Sequence, residues 1–307
     1  MEKVLRVGTR DSQLAVWQAT KVQQLLQQDG IRTELVPIKS EGDLDLNTPL
    51  YELGVQGIFT RSLDIALLNN KIDIAVHSLK DVPTSLAAGI ISAAVLKRGP
   101  VKDLLVYKND LSFMDDKKGK ATIATSSIRR KAQWLHKYPN HEILNLRGNV
   151  NTRLGKVESS GWQGAIFAAA GLERIHLRPE KSLELDWMVP APAQGAIVVV
   201  CRENDHIISG ACHSLNDADT GLCTKIERDF LRTLIGGCST PVGAYAHIEK
   251  GRVKFTGNIC SPDGKKKMEL SKTVSLDAAG DIGTAAALEL LSAGADKIVA
   301  EIRDAEK

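Results

Sequence analysis

An amphipathic stretch at 59–69, with Phe59, Leu63, Ala66 and Leu67 at helical spacing, runs into a short apolar segment at 72–76 rich in β-branched residues. A helix feeding a buried strand is half of a βαβ unit. Sheets built that way gather ligands just beyond the carboxyl ends of their strands. At that end the chain turns polar, as His77-Ser78-Leu79-Lys80-Asp81, and Pro83, which cannot donate to a ladder, stops the strand. Upstream, 4–7 reads as a first strand and 8–12 as a turn. Ser12 N-caps a helix that runs through Gln28, with Leu14, Trp17, Val22, Leu25 and Leu26 on one face and Gly30 closing it. Residues 31–38 form the next strand. The order β-α-β-α-β up to Asp81 predicts a mostly parallel sheet. It puts Arg10 and Ser12 on the same sheet edge as Asp81. Residues 40–56 carry no period and are read as a loop over that edge, either a lid or a plain connector.

Gly99-Pro100 breaks the pattern and marks a hinge before a second α/β region. There, 121–125 is a strand, and Thr125-Ser126-Ser127 opens a helix over 128–138. The hydroxyls and backbone N–H groups of that opening make an anion site. Arg129 and Arg130 lie in its first turn, where positive charge opposes the helix dipole, so an anion is expected beside them. The strand at 142–146 ends in Arg147-Gly148-Asn149, a helix carrying Arg153 follows, and a strand-like run at 164–170 ends near Arg174. Six arginines at or beyond strand ends predict a cleft for carboxylates or phosphates, which the planar guanidinium binds through two parallel hydrogen bonds.

The segment 189–195 is a second irregular crossing that contains Gln194. The strong strand at 196–201 has no partner nearby in sequence and is expected to return to the first sheet. Two lobes joined by two crossings make a hinged cleft. From 216 onward a helix at 218–235 precedes three strands, at 242–249, 252–259 and 266–276, joined by turn signals, and a closing helix at 282–291. The expected fold class is therefore α/β, with two mixed-sheet lobes and a smaller α+β C-terminal domain built on a three-stranded antiparallel sheet. The expected domains are 1–98 with 196–215, then 99–195, then 216–307.

Composition narrows the function. The 307 residues carry 40 basic and 37 acidic side chains, a net +3, which argues against a surface that is one polyanion-binding field. Aromatics make up 4%, too few for the stacking platforms of a nucleic-acid binder. No apolar run is long enough to span a bilayer, and the residues after Met1 lead into a strand without a signal-peptide core. The five cysteines, at 201, 212, 223, 238 and 260, form no CxxC pair, which favours reduced thiols in the cytoplasm. Cys212-His213 with Cys223 is too sparse for a zinc site, and no metal centre is expected. Cys238 differs from the others. It sits in Gly236-Gly237-Cys238-Ser239-Thr240-Pro241, between a helix and a strand, where glycines let the backbone approach a ligand.

Four motifs in order, His77-Ser-Leu-Lys-Asp81-Val-Pro, Thr125-Ser-Ser-Ile-Arg-Arg130, Leu146-Arg-Gly-Asn149 and Gly236-Gly-Cys238, make the chain resemble the porphobilinogen deaminase (hydroxymethylbilane synthase) family. The resemblance runs from about Val4 to near the C-terminus. It implies three α/β domains, the first two like hinged periplasmic-type binding lobes, and a monomer. It also implies a dipyrromethane cofactor, joined through a thioether to Cys238. One departure is Gln56, where family members often carry lysine ahead of the Gly57-Ile58-Phe59 segment.

The implied reaction joins four porphobilinogen units head to tail with loss of ammonia. Every pyrrole brings an acetate and a propionate, so a growing chain accumulates carboxylates that arginines and helix N-termini can hold. Loss of ammonia leaves a cationic pyrrole, which a carboxylate beside the ring nitrogens stabilises. Asp81 is assigned that role. The expected cofactor contacts are Cys238, Ser78, Lys80, Asp81, Thr125, Ser126, Ser127, Arg129, Arg130, Arg147 and Gly148. The expected substrate contacts are Arg10, Ser12, Phe59, Arg153, Arg174 and Gln194. The rival is a hinged, non-catalytic binding protein for a small carboxylated ligand.

Overall fold

The structure is a computed structural model that describes residues 4–40, 59–116, 119–234 and 240–305. It opens with β1 (Leu5–Thr9), α1 (Gln13–Gln28), β2 (Thr33–Pro37), α2 (Arg61–Leu68), β3 (Ile74–Ser78) and β4 (Ile90–Val95). A second region follows with β5 (Asp103–Tyr107), β6 (Thr122–Ala124), α3 (Ile128–Lys137), β7 (Glu142–Leu144), α4 (Val150–Ser159), β8 (Gly164–Ala168), α5 (Ala169–Glu173) and β9 (Ser182–Glu184). Then β10 (Ile197–Arg202) returns to the first sheet, as its isolation in the sequence predicts. The strand order there is β2-β1-β3-β10-β4.

β1 runs parallel to β2 and β3, whereas β10 lies antiparallel to both β3 and β4. The strands up to Asp81 are thus parallel to one another as expected, and the sheet as a whole is mixed because β10 comes in antiparallel from the other lobe at the carboxyl end of β3. The second sheet, β7-β6-β8-β5-β9, is mixed for a similar reason: β5 is antiparallel to β8 and β9. The strand-like run expected over 164–170 is divided, since Ala169 already starts α5.

The remainder holds α6 (His206–Ala211), α7 (Ala218–Leu234), β11 (Val242–Glu249), β12 (Arg252–Cys260), β13 (Lys267–Ser275), α8 (Ile282–Leu290) and α9 (Asp296–Ala305). β11, β12 and β13 form the expected three-stranded antiparallel sheet. The closing helix extends further than its apolar run. A π-turn over Leu291–Ala295, with Gly294 at φ 108°, links α8 to α9.

The apolar residues of α1 serve two cores, not one. Ala19, Val22 and Leu26 pack on the first sheet against Val7, Ile74 and Val199. Leu14 and Trp17 pack against the cluster of the second sheet, with Leu104, Val150 and Leu172.

The two crossings touch. The Gly99 N–H donates to the Gly195 carbonyl at 3.0 Å. Gly195 has φ +87°, and a Cβ there would lie 2.6 Å from the Pro100 oxygen, so only glycine fits. A single carboxylate ties both crossings to the third sheet. Glu227 on α7 is fully buried and accepts from both terminal nitrogens of Arg98 (2.6 and 2.9 Å), from the Ala193 N–H (2.6 Å) and from the Ala246 N–H (2.7 Å). Four donors on two oxygens are what make a buried carboxylate tolerable.

Candidate active site

β3 delivers its last residues to the sheet edge, and a single 3-10 turn, Leu79–Asp81, then presents Lys80 and Asp81. The turn is fastened by the Leu79 N–H to the Ala196 carbonyl (3.0 Å) and the Val82 N–H to the Leu79 carbonyl (3.2 Å). The Leu79 and Val82 side chains are buried, while Lys80 and Asp81 stay half-buried between them. Among the described residues, no hydrogen bond or ion pair is made to the Asp81 carboxylate. Its charge acts instead on Lys80, Arg130 and Arg153, in each case favouring the cation.

Lys80 reaches across to Gln194 Oε1 at 3.3 Å. Burial pushes its ammonium down to about 8; Arg130 and Arg129 push the same way, and Asp81 and Asp103 oppose. Gln194 is fully buried on the second crossing, and its amide donates to the Val101 carbonyl (2.7 Å) and to Asp103 Oδ1 (3.0 Å). Ser78 accepts from Gln18 of α1 at 2.8 Å. His77 lies behind the turn. It is buried, its Nε2 has no hydrogen-bond partner among the described residues, and burial together with Arg10 lowers it to about 4, so the imidazole is neutral at about pH 7.

On the facing lobe, Ser127 N-caps α3 and accepts from the Arg130 N–H at 3.4 Å. Thr125 accepts from the Ser127 N–H (3.3 Å), and Ser126 bonds Asn145 and both backbone groups of Leu146. The anion that two arginines in this first turn require is present in the chain itself. Arg129 donates to Asp103 Oδ2 (2.8 Å) and to the Val189 carbonyl (2.9 Å). Arg130 donates to Asp103 Oδ1 through Nε (3.0 Å) and a terminal nitrogen (2.8 Å), and to the Ile166 carbonyl (3.0 Å). The continuous chain is thus Lys80, Gln194, Asp103, then Arg129 and Arg130, and it spans both lobes.

Asp103 is fully buried at the start of β5. Burial opposes its charge, yet Arg129 and Arg130 outweigh that and hold the carboxyl well below the usual carboxylate range. Asp103→Asn is expected to cost about 3–5 kcal/mol, the usual penalty for leaving a buried ion-pair partner uncompensated, read from the denaturant midpoint. Since the folded-state pKa is depressed, this contribution is complete above the unfolded value near ~3.9 and is lost as pH falls through the folded one. The wild-type advantage over the Asn variant should therefore shrink on acidification.

Arg147 is buried after β7, and its carbonyl accepts from Lys156 (3.2 Å). Gly148 follows at φ +112°, where a Cβ would meet Thr152 at 2.8 Å, and Asn149 N-caps α4. Arg153 projects from that helix with a buried Nε that has no hydrogen-bond partner among the described residues. Burial lowers it to about 10, with Arg130, Arg147 and Arg10 pressing the same way. Arg10 stacks on the Phe59 ring at 4.5 Å. Arg10, Lys80, Asp81, Arg130, Arg147 and Arg153 therefore share one electrostatic neighbourhood. Two further expected residues have structural partners of their own. Ser12 is occupied as the N-cap of α1, accepting from the Ala15 N–H at 3.4 Å. Arg174 donates to the Gly195 carbonyl (2.6 Å), faces the Trp17 ring at 5.7 Å, and lines a groove of about 730 Å³ at the crossings. Cys238, Gln56 and most of the loop at 40–56 lie outside the described residues.

The sequence reading missed Asp103, Arg98, Glu227 and Arg228. The available signal for Asp103 was a lone acid leading the apolar run Leu104-Leu105-Val106, since a fully buried acid is rare without a partner.

Residues 5–210 match the family model "Porphobilinogen deaminase, dipyromethane cofactor binding domain", and residues 221–292 match "Porphobilinogen deaminase, C-terminal domain". A porphobilinogen deaminase of Syntrophotalea carbinolica is 40% identical, over 97% of this chain and 96% of its own. Those of Chloroherpeton thalassium (39%, covering 99% of each chain) and Desulforamulus reducens (37%, covering 100% of each) are similar throughout. Among solved structures, the methionine-binding protein MetQ overlaps with a TM-score of 0.45 at 13% identity, over 70% of this chain and 91% of that one, a likeness too loose to bear on function. With a family model spanning residues 5–210 and full-length relatives close to 40% identical, the chain belongs to the porphobilinogen deaminase family.

Proposed function

We propose that this protein joins four porphobilinogen molecules head to tail, releasing ammonia at each addition, to make hydroxymethylbilane for tetrapyrrole (haem) biosynthesis. The observation that carries the reading is the Asp81 carboxylate, half-buried and without a hydrogen-bond or ion-pair partner among the described residues, set among Lys80, Arg130 and Arg153. Such a carboxylate is available to accept hydrogen bonds from pyrrole N–H groups. It stabilises the positive charge that develops as the aminomethyl C–N bond breaks and ammonia departs.

The residues present fit a dipyrromethane cofactor. Its acetates and propionates need several cationic donors, and Arg153 offers a buried Nε that no described residue satisfies. Lys80, Arg10, Arg147 and Arg153 would hold carboxylates, with Ser78 and the Thr125-Ser126-Ser127 opening of α3 beside them. Arg129 and Arg130 keep part of their donor capacity for Asp103 and contribute charge with what remains. Gln194 would orient Lys80. Phe59 and Gly148 would shape the walls, Ser12 and Arg174 would act from the periphery, and Cys238 would carry the thioether. When bound, dipyrromethane supplies the electron-rich pyrrole carbon on which the chain grows.

We read the domains as 1–98 with 196–215, 99–195, and 216–307. Distinct apolar clusters on the three sheets support that division, with Leu14 and Trp17 of α1 reaching from the first into the second. Movement about the touching crossings at Gly99 and Gly195 would make room for the lengthening product. A cytoplasmic monomer is the expected form, and the four described cysteines are unpaired thiols.

Incubation of the purified holoenzyme with porphobilinogen tests the activity. One ammonia released per porphobilinogen consumed is the expected result, and binding without ammonia release would make the protein a carrier. Lys80 adds a pH signature. With its ammonium at about 8, the site loses a positive charge as pH rises from 7 to 10. The KM of the wild type should therefore rise relative to Lys80→Arg, by at most about tenfold per pH unit above 8, because arginine stays charged throughout. Parallel KM profiles would remove Lys80 from carboxylate binding.

A further inference from the structure

The turn that carries Lys80 and Asp81 is held from outside its own lobe. Arg228, half-buried on α7, donates from one terminal nitrogen to the Leu79 carbonyl (3.2 Å) and the Val82 carbonyl (2.9 Å), and from the other to the Pro83 carbonyl (2.6 Å). These three oxygens bracket Asp81 on both sides. They belong to an irregular stretch after β3 has left the ladder, so no strand neighbour takes them up in register. A guanidinium is the side chain suited to the task, because its rigid planar fork can reach several acceptors at once, and charge-assisted bonds are shorter and stronger than neutral ones. The preceding residue, Glu227, grips Arg98 and Ala193 at the two crossings. One helical turn of α7 therefore fixes both the crossings and the Asp81 turn.

We propose that Arg228 is a positioning residue for the reaction: by clamping the carbonyls of Leu79, Val82 and Pro83 it sets the place of the Asp81 carboxylate relative to the pyrrole nitrogens. This rests on the role given to Asp81 above. A carboxylate displaced by about 1 Å loses much of its effect on a developing charge, a loss that can reach about 10²-fold. The cost falls more on turnover than on binding, because the carboxylate-binding arginines stay where they are and only Lys80 moves with the turn.

The test uses the full-length holoenzyme as Arg228→Lys, Asp81→Asn and the double variant, assayed well below their unfolding midpoints. Arg228→Lys keeps the charge but cannot span three carbonyls. It should retain the dipyrrole by intact mass and show kcat lowered by about 10- to 100-fold, with a smaller change in KM through Lys80 on the same turn. In the double variant the two losses should not multiply: rates should match Asp81→Asn alone within about twofold, the mark of two residues acting as one unit. Wild-type kcat in Arg228→Lys, full multiplication of the two losses, or absence of the dipyrrole from Arg228→Lys would each overturn the proposal. If Asp81→Asn is slow but Arg228→Lys is fast, only this inference fails. If Asp81→Asn itself turns over normally, the reading of Asp81 fails first.

Discussion

Asp81→Asn is expected to lower the rate of hydroxymethylbilane formation by on the order of 10²–10³-fold while leaving the fold intact, the scale on which removal of one preorganised electrostatic partner of a transition state is felt. The substitution keeps size and shape. Its structural cost is small, because the wild-type carboxylate makes no hydrogen bond or ion pair with described residues that the amide would have to replace. What is lost is the negative charge. An amide oxygen still accepts one pyrrole N–H, but it offers about a neutral dipole where the reaction develops a full cation. The cationic surroundings make the loss worse. With Lys80, Arg130 and Arg153 close by, and Asp103 already committed to Arg129 and Arg130, a neutral residue 81 leaves the developing pyrrole cation in more positive surroundings. KM should change less than kcat, since the substrate carboxylates are held by arginines that the substitution does not touch. Steady-state kinetics on protein whose melting midpoint matches the wild type decides the matter. Turnover within a few-fold of wild type would place the key carboxylate elsewhere.

The parts of the fold that were legible in the sequence were those with strong local periodicity. The βαβ order around 59–81, the helix from Ser12 and the antiparallel meander after 242 each follow from residue spacing alone. The return of 196–201 to the first sheet followed from a different argument, that a strongly apolar strand needs a partner and none lay nearby. Strands β4, β5 and β9 escaped. β9 has three residues, and β5 begins with a charged residue that looks like a surface position until Arg129 and Arg130 are seen around it. The candidate site divides in the same way. Arginines at strand ends point to an anion from topology alone. Which anion they meet first, Asp103 or a ligand carboxylate, depends on pairing between residues 26 and 27 positions apart, and no local pattern encodes that. Glu227 and Arg228 were hidden for a related reason. On a helix of ordinary amphipathic composition, a buried clamp and a solvated charge are written with the same letters.

The second large effect concerns Cys238. A thiolate is a strong nucleophile toward an electron-poor methylene carbon, whereas a serine hydroxyl at neutral pH is a weak one. Cys238→Ser should therefore fold, since it exchanges one sulfur for one oxygen in a side chain of the same shape, and yet hold no pyrrole. Without the tethered primer there is nothing for the first porphobilinogen to extend, so bilane formation should fall to background. Intact-mass spectrometry of the protein as isolated reads this most directly. Wild type is predicted to be heavier than its sequence by one dipyrromethane unit, with the added mass on the peptide containing Cys238, and Cys238→Ser to match its sequence mass. A wild type at bare sequence mass that still makes bilane, or a Cys238→Ser protein that keeps the dipyrrole, would contradict the account.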